Sequence, residues 1–141
     1  MLGKAFEQVG GETTFKRLVE VFYDLVAKDP DLSPMFPEDF TLIKDKQYRF
    51  LSQFFGGPPL YTQKYGHPML RARHLPFPIE PRHAEAWLRC MSQAMDEVGL
   101  TGELREDMFR RLKLTAIHMI NTIPEEDQTG ARPAEHFVQN S

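Results

Sequence analysis

Apolar residues recur three and four positions apart along most of this chain, and proline and glycine cut the pattern into a few segments. That spacing lines one face of an α-helix and does not fit the alternation of a half-buried strand. Residues 12–28 place Phe15, Leu18, Val19, Phe22, Leu25 and Val26 on one such face. Asp29-Pro30 ends the segment, because proline disfavours the α conformation in the residue before it. A short helical turn over 30–35 stops at Phe36-Pro37. Residues 40–55 form the next helix, with Ile43, Gln47, Phe50, Leu51 and Phe54 on its inner face, and Gly56-Gly57-Pro58-Pro59 terminates it. An irregular stretch runs from Leu60 to about His67, and a short helical piece over 68–74 carries Arg71, Arg73 and His74. Pro81 suits the first turn of a long helix over 81–98, whose face is Ala84, Trp87, Leu88, Met91, Met95 and Val98, with Gly99 just beyond its end. Thr101 can cap a last helix over 102–121, with Leu104, Met108, Leu112, Thr115 and Met119 inward. No paired strands with hairpin turns are visible, so the expected fold class is all-α. Residues 1–122 make the expected domain, and the polar, aperiodic residues 123–141 read as a loose tail.

The 141 residues suit one domain, and 11 phenylalanines can fill its core. A net charge of −3 lacks the basic surplus of a nucleic-acid binder, so no nucleic-acid partner is expected. No apolar run approaches the ~20 residues of a membrane span. The opening MLGKAFEQVGG lacks the apolar stretch of a secretory signal, so a cytoplasmic location is expected. The single cysteine, Cys90, excludes an internal disulfide, a Cys-rich zinc site and a Cys-ligated iron–sulfur cluster; it reads as a small buried hydrophobe. The common hydrolase, P-loop and dinucleotide signatures are absent, and His118 has no second histidine at metalloprotease spacing.

Three residues do not fit a plain helical core. Gln47 shares a face with Ile43 and Phe50. It is either a boundary amide that reaches water or a donor aimed at something polar inside, since a buried amide left unpaired costs about 1–3 kcal/mol. Tyr23 lies at the edge of the first long apolar stripe, with its hydroxyl either wet or turned inward and in need of a partner. Two inward polar groups facing one apolar volume would have the character of a ligand site. His74 follows Arg71 and Arg73 and precedes Leu75-Pro76-Phe77. An isolated histidine is usually an ordinary surface or core residue, but neutral imidazole is also an axial ligand of haem iron, and arginine pairs well with carboxylates such as the haem propionates.

The blocks Phe54-Phe55-Gly56-Gly57-Pro58-Pro59-Leu60-Tyr61, then Gly66-His67-Pro68-Met69-Leu70-Arg71-Ala72-Arg73-His74-Leu75-Pro76-Phe77, then Ala86-Trp87-Leu88-Arg89-Cys90-Met91 resemble the group II truncated haemoglobins. These are short bacterial globins with a two-over-two helical sandwich. The likeness runs from about Phe6 to Asn121, and Gly10-Gly11 and Phe22-Tyr23 fit the N-terminal part of the pattern. The resemblance implies a haem b cofactor (iron protoporphyrin IX) with His74 as the proximal metal ligand. It implies Tyr23, Gln47 and Trp87 on the distal, ligand-binding side. Phe36 matches the aromatic that packs on haem after the short helix, and Ile43 the gate position. Lys46, Tyr61 and Arg73 match positions that touch haem or its propionates, and the double glycines match hinges. Phe36 and Ile43 are where this chain departs from common family choices.

On the residues themselves, Phe50, Phe54, Leu70, Phe77, Trp87 and Met91 can supply apolar walls for the ring. Dioxygen on ferrous iron takes on negative charge, so hydrogen-bond donors slow its release. Two charge-assisted bonds of about 1.5–3 kcal/mol each correspond to roughly two to four orders of magnitude in dissociation rate. The expected function is reversible, tight binding of dioxygen with slow release, with carbon monoxide, nitric oxide, cyanide or sulfide as further ligands. That suits scavenging, sensing or redox chemistry better than bulk oxygen transport. The competing enzymatic reading is nitric oxide dioxygenation, or peroxidase-like turnover, with an external reductase that the sequence does not identify. A peroxidase needs a distal base, and no histidine falls on the 40–55 helix. A haem-free helical interaction module is the third reading. The oligomeric state stays between monomer and homodimer.

Overall fold

The computed structural model describes residues 5–124. In chain order its helices are α1 (Ala5–Gln8), α2 (Gly11–Lys28), a 3-10 turn (Ser33–Met35), α3 (Thr41–Phe54), α4 (Leu60–Tyr65), α5 (Leu70–His74), α6 (Pro81–Glu97) and α7 (Gly102–Met119). Among the described residues there is no strand, and no helix is long and apolar enough to cross a membrane. The all-α expectation holds. Helix α2 packs against both α3 and α6, and α6 packs against α7, so the four long helices form two pairs joined through α2 and α6.

The periodicity explains the core. Phe15, Leu18, Val19, Phe22 and Val26 of α2 are buried, facing Ala86, Met91, Ala94 and Met95 of α6 and Met108 and Leu112 of α7. Asp29 ends α2 and starts the next turn: its Oδ1 accepts the backbone N–H groups of Asp31 (2.9 Å) and Leu32 (3.1 Å), while Oδ2 takes Arg89 at 2.8 Å. Pro81 begins α6 as expected, behind a capping box in which the Glu80 N–H donates to His83 Nδ1 at 2.9 Å. Gly57 is required by a close approach. A Cβ there would lie 2.7 Å from the Phe6 ring and 2.8 Å from the Ser52 carbonyl oxygen.

The structure corrects several expectations. The stretch from Leu60 is not irregular: Leu60–Tyr65 is helix α4. It is short and buries only Tyr61, which is too little to leave a periodic signal. Its first turn is held by Gln53 of α3, whose Oε1 accepts the Thr62 N–H (3.0 Å) and whose Nε2 donates to Thr62 Oγ1 (2.8 Å). Helix α5 starts at Leu70, not 68, because Met69 takes a left-handed conformation with φ 42°. Helix α1 adds an N-terminal turn that its length hides from any periodicity. Thr101 makes no side-chain cap, and α7 ends at Met119, where Ile120 turns extended. Leu104, Thr115 and Met119 are half-buried, and on α3 only Leu51 of the expected inner face is fully buried. The expected tail begins at 123, yet Ile123 is only 8% exposed; residues 125–141 of that tail lie outside the described residues.

Candidate functional site

The site is assembled from α2, α3, the α4–α5 region and α6. His74 closes α5. Its Nδ1 lies 2.7 Å from the Leu70 carbonyl oxygen, one helical turn back. That contact is a hydrogen bond only if Nδ1 carries the proton, which leaves the Nε2 lone pair free as a ligand. Helix α5 has no buried residue, and the His74 side chain is half-buried. Among the described residues no three histidine, cysteine or acidic side chains gather around a bare ion. With Nδ1 engaged, the His74 Nε2 can supply one ligand to a metal.

Across the fold, Tyr23 of α2 is 3% exposed and its hydroxyl has no hydrogen-bond partner among the described residues. Burial pushes its pKa well above the ordinary tyrosine value, so the hydroxyl stays protonated and remains a donor. Its ring packs on Phe22 at 4.9 Å, on Phe40 at 5.4 Å and edge-on to Phe36 at 6.0 Å. Trp87 of α6 meets the same Phe22 edge-on at 5.2 Å, so Phe22 separates the phenol from the indole. Gln47 and Ile43 are both half-buried on α3. Neither the Gln47 amide nor the Trp87 N–H is bonded within the described residues. Three neutral donors thus stand without an acceptor among the described residues.

The opposite rim is cationic. Phe50 packs on Phe54 at 5.3 Å and edge-on to Tyr61 at 6.2 Å, and Tyr61 lies 5.2 Å from Tyr65. Arg73 sits 5.7 Å over the Tyr61 ring and donates to the carbonyls of Tyr65 (3.2 Å) and His67 (3.0 Å). Lys46 lies 5.4 Å over the Tyr65 ring. Neither Lys46 nor Arg73 has a carboxylate partner among the described residues, which suits them to carboxylates of a ligand. Beside them Asp45 is saturated by Tyr65 (2.6 Å), Lys64 (2.9 Å) and Arg49 (3.0 Å). Partial desolvation opposes ionisation of this carboxyl, but those three donors outweigh it and hold its pKa at about 2.

Of the residues expected from the sequence, Arg73 lies beside His74 in the chain and over Tyr61, Lys46 lies over Tyr65, and Tyr23 packs on Phe36 and, through Phe22, next to Trp87. Met91 is fully buried in the core. Phe77 is 54% exposed and stacks on none of the other rings, so as a wall it stands apart from Phe50 and Phe54. The sequence reading gave no role to Phe40, which packs on Tyr23 from just before α3, or to Asn121, whose contacts reach more than forty residues back; it singled out Arg71 beside His74 but not its contact with the end of α7.

The sequence profile of the family described as bacterial-like globin matches residues 4–121. The Group 2 truncated hemoglobin YjbI of Bacillus subtilis (strain 168) is 57% identical over 119 residues, covering 84% of this chain and 90% of that protein. Among solved structures, the group II truncated haemoglobin of Bacillus anthracis superposes with a TM-score of 0.85 at 57% identity, covering 88% of this chain and 95% of that one. A truncated oxygen-avid haemoglobin from Bacillus subtilis superposes with a TM-score of 0.80, also at 57% identity, over 83% of this chain and 98% of that one.

Proposed function

The chain belongs to the bacterial-like globin family as a group II truncated haemoglobin, and on that premise we propose that it binds haem b through His74 and holds dioxygen tightly, releasing it slowly. The observation that carries this reading is the pairing of a free imidazole nitrogen at His74 with a buried, unpartnered phenol at Tyr23. Bound haem iron supplies the reversible affinity for dioxygen and other diatomic ligands; the chain supplies everything else. Leu70 fixes the His74 tautomer and ring orientation through its carbonyl. Lys46, Arg73 and Tyr61 hold the propionates, and Phe50, Phe54 and Phe36 supply apolar contact. Tyr23, Trp87 and Gln47 donate hydrogen bonds to the ligand. Because these groups have no competing acceptor among the described residues, they need not break an internal bond there to do so.

The test is the visible spectrum of the ferrous protein with and without dioxygen or carbon monoxide, followed by stopped-flow oxygen dissociation. A Soret band that shifts reversibly with ligand, and oxygen loss slower by two or more orders of magnitude than from an unassisted haem, is the expected result. A chain that shows no Soret band after haem addition, or that loses oxygen as fast as an unassisted haem, refutes the reading. Steady turnover of nitric oxide or peroxide with an added reductant would assign the same site to redox catalysis instead.

A further inference from the structure

We propose that Asn121 is a positioning residue for His74: its side-chain amide clamps the segment that follows the imidazole and so sets where the ring stands. The inference rests on reading His74 as the haem ligand. Helix α5 carries His74 but buries no residue, so apolar packing does not hold it. Polar straps do. Arg71 of α5 donates to the carbonyls of His118 (2.6 Å) and Ile120 (3.1 Å) at the end of α7. From that same end Asn121 reaches back. Its Nδ2 donates to the carbonyls of Phe77 (2.9 Å) and His74 itself (3.3 Å). Its Oδ1 accepts the Ile79 N–H (2.8 Å) and the Thr122 hydroxyl (2.7 Å).

The two donors and two acceptor positions of the amide are all filled. The orientation is forced, because carbonyl oxygens only accept and a backbone N–H only donates. The main chain adds a second seam: the N–H groups of Asn121 (2.9 Å) and Thr122 (3.0 Å) both donate to the Ile79 carbonyl. Ile79, Ile120 and Ile123, the neighbours of these groups in the chain, are buried. The chain from His74 to Ile79 is thus pinned at both ends by one side chain. Aspartate in its place would keep the acceptor for Ile79 but set an oxygen against two carbonyls.

Three measurements test the clamp: haem transfer to excess apomyoglobin, the iron–histidine stretching band of the ferrous protein, and amide exchange in the haem-free chain. In Asn121→Asp and Asn121→Ala, haem transfer is expected to accelerate at least about tenfold, the usual scale for losing a group that orients a metal ligand. The iron–histidine band shifts or broadens in both. In the haem-free chain the Ile79 N–H exchanges faster in Asn121→Ala and keeps its protection in Asn121→Asp. Should the variants fail to fold, the unaltered chain still decides, since the Asn121 side-chain amide protons must exchange slowly. A folded Asn121→Asp with haem transfer within about twofold of the parent and an unmoved band overturns the proposal. So do fast-exchanging Asn121 amide protons in a chain that binds haem. If the parent takes up no haem, the functional reading falls and this proposal with it, while slow exchange at Asn121 would separate that failure from a failure of the clamp.

Discussion

Replacing Tyr23 by phenylalanine should move stability and oxygen retention in opposite directions. The hydroxyl is the only group removed, and the ring contacts with Phe22, Phe36 and Phe40 remain. In the haem-free chain that hydroxyl has no partner among the described residues and sits on a side chain that is 3% exposed. An unsatisfied buried hydroxyl costs about 1–3 kcal/mol. The Tyr23 oxygen is not among the fully sealed side-chain atoms, so the lower end applies and removal stabilises by up to about 1 kcal/mol. For a chain of this size that is a rise in melting temperature of about 3–4 °C. In the haem-loaded protein the same change removes a donor to a charge-bearing ligand, about 1.5–3 kcal/mol, or roughly 10- to 150-fold faster oxygen dissociation. Calorimetry on the haem-free variant and stopped-flow dissociation on the loaded one read the two effects separately. A haem-free variant that loses more than about 1 kcal/mol shows that the hydroxyl had an internal partner, and an unchanged dissociation rate shows that it is not a donor. Either result refutes the reasoning. The raised pKa adds a check: as the phenol stays protonated past the ordinary range, oxygen dissociation should show no tyrosinate titration up to about pH 10.

His74→Ala should abolish axial coordination, and added imidazole should restore the ferrous spectrum; failure of free imidazole to do so would argue for a different ligand. Gly57→Ala should destabilise the chain by about 1–3 kcal/mol in denaturant titration, because the new methyl meets the Phe6 ring and a backbone carbonyl at under 3 Å. Asp45→Asn should cost at most about 2 kcal/mol at neutral pH, since the carboxylate is only partly buried. Its folded pKa lies below the unfolded value, so the parent's advantage is present above about pH 4 and disappears as pH falls towards 2; an advantage that persists at pH 2 contradicts this.

What was legible in the sequence follows from how each part is held. Helices α2, α3, α6 and α7 are long enough for apolar residues to repeat over several turns, and their spans were readable to within a few residues. Helix α4 was not, because it buries one tyrosine and owes its first turn to Gln53, a contact that carries no pattern. The family blocks around His74 and Trp87 named candidate residues, but whether Tyr23 faced water or the interior was undecidable from spacing. That answer depends on Phe36 and Phe40, which reach the ring from the segment after α2. Asn121 left no signal of this role, because its partners other than Thr122 lie 42 to 47 positions away.

The two sides of the site are therefore built by different physics, and this sorts what substitutions should do. The proposed distal donors Tyr23, Gln47 and Trp87 stand on α2, α3 and α6, helices locked into the core by Phe22, Leu51 and Met91. That packing sets their positions, so on the proposed function changing them should alter how a ligand is held while leaving haem in place. His74, the proposed proximal ligand, stands on a five-residue helix that buries nothing and is tied down by Arg71 and Asn121. Hydrogen bonds near water are each worth only about 0.5–1.5 kcal/mol, so the straps work as a set and open together more readily than a packed helix moves. Loss of a strap should therefore appear first as haem release and only secondarily as altered ligand kinetics. The reverse order, fast ligand loss with haem retention unchanged on cutting a strap, would mean that α5 is held by the haem itself and not by the end of α7.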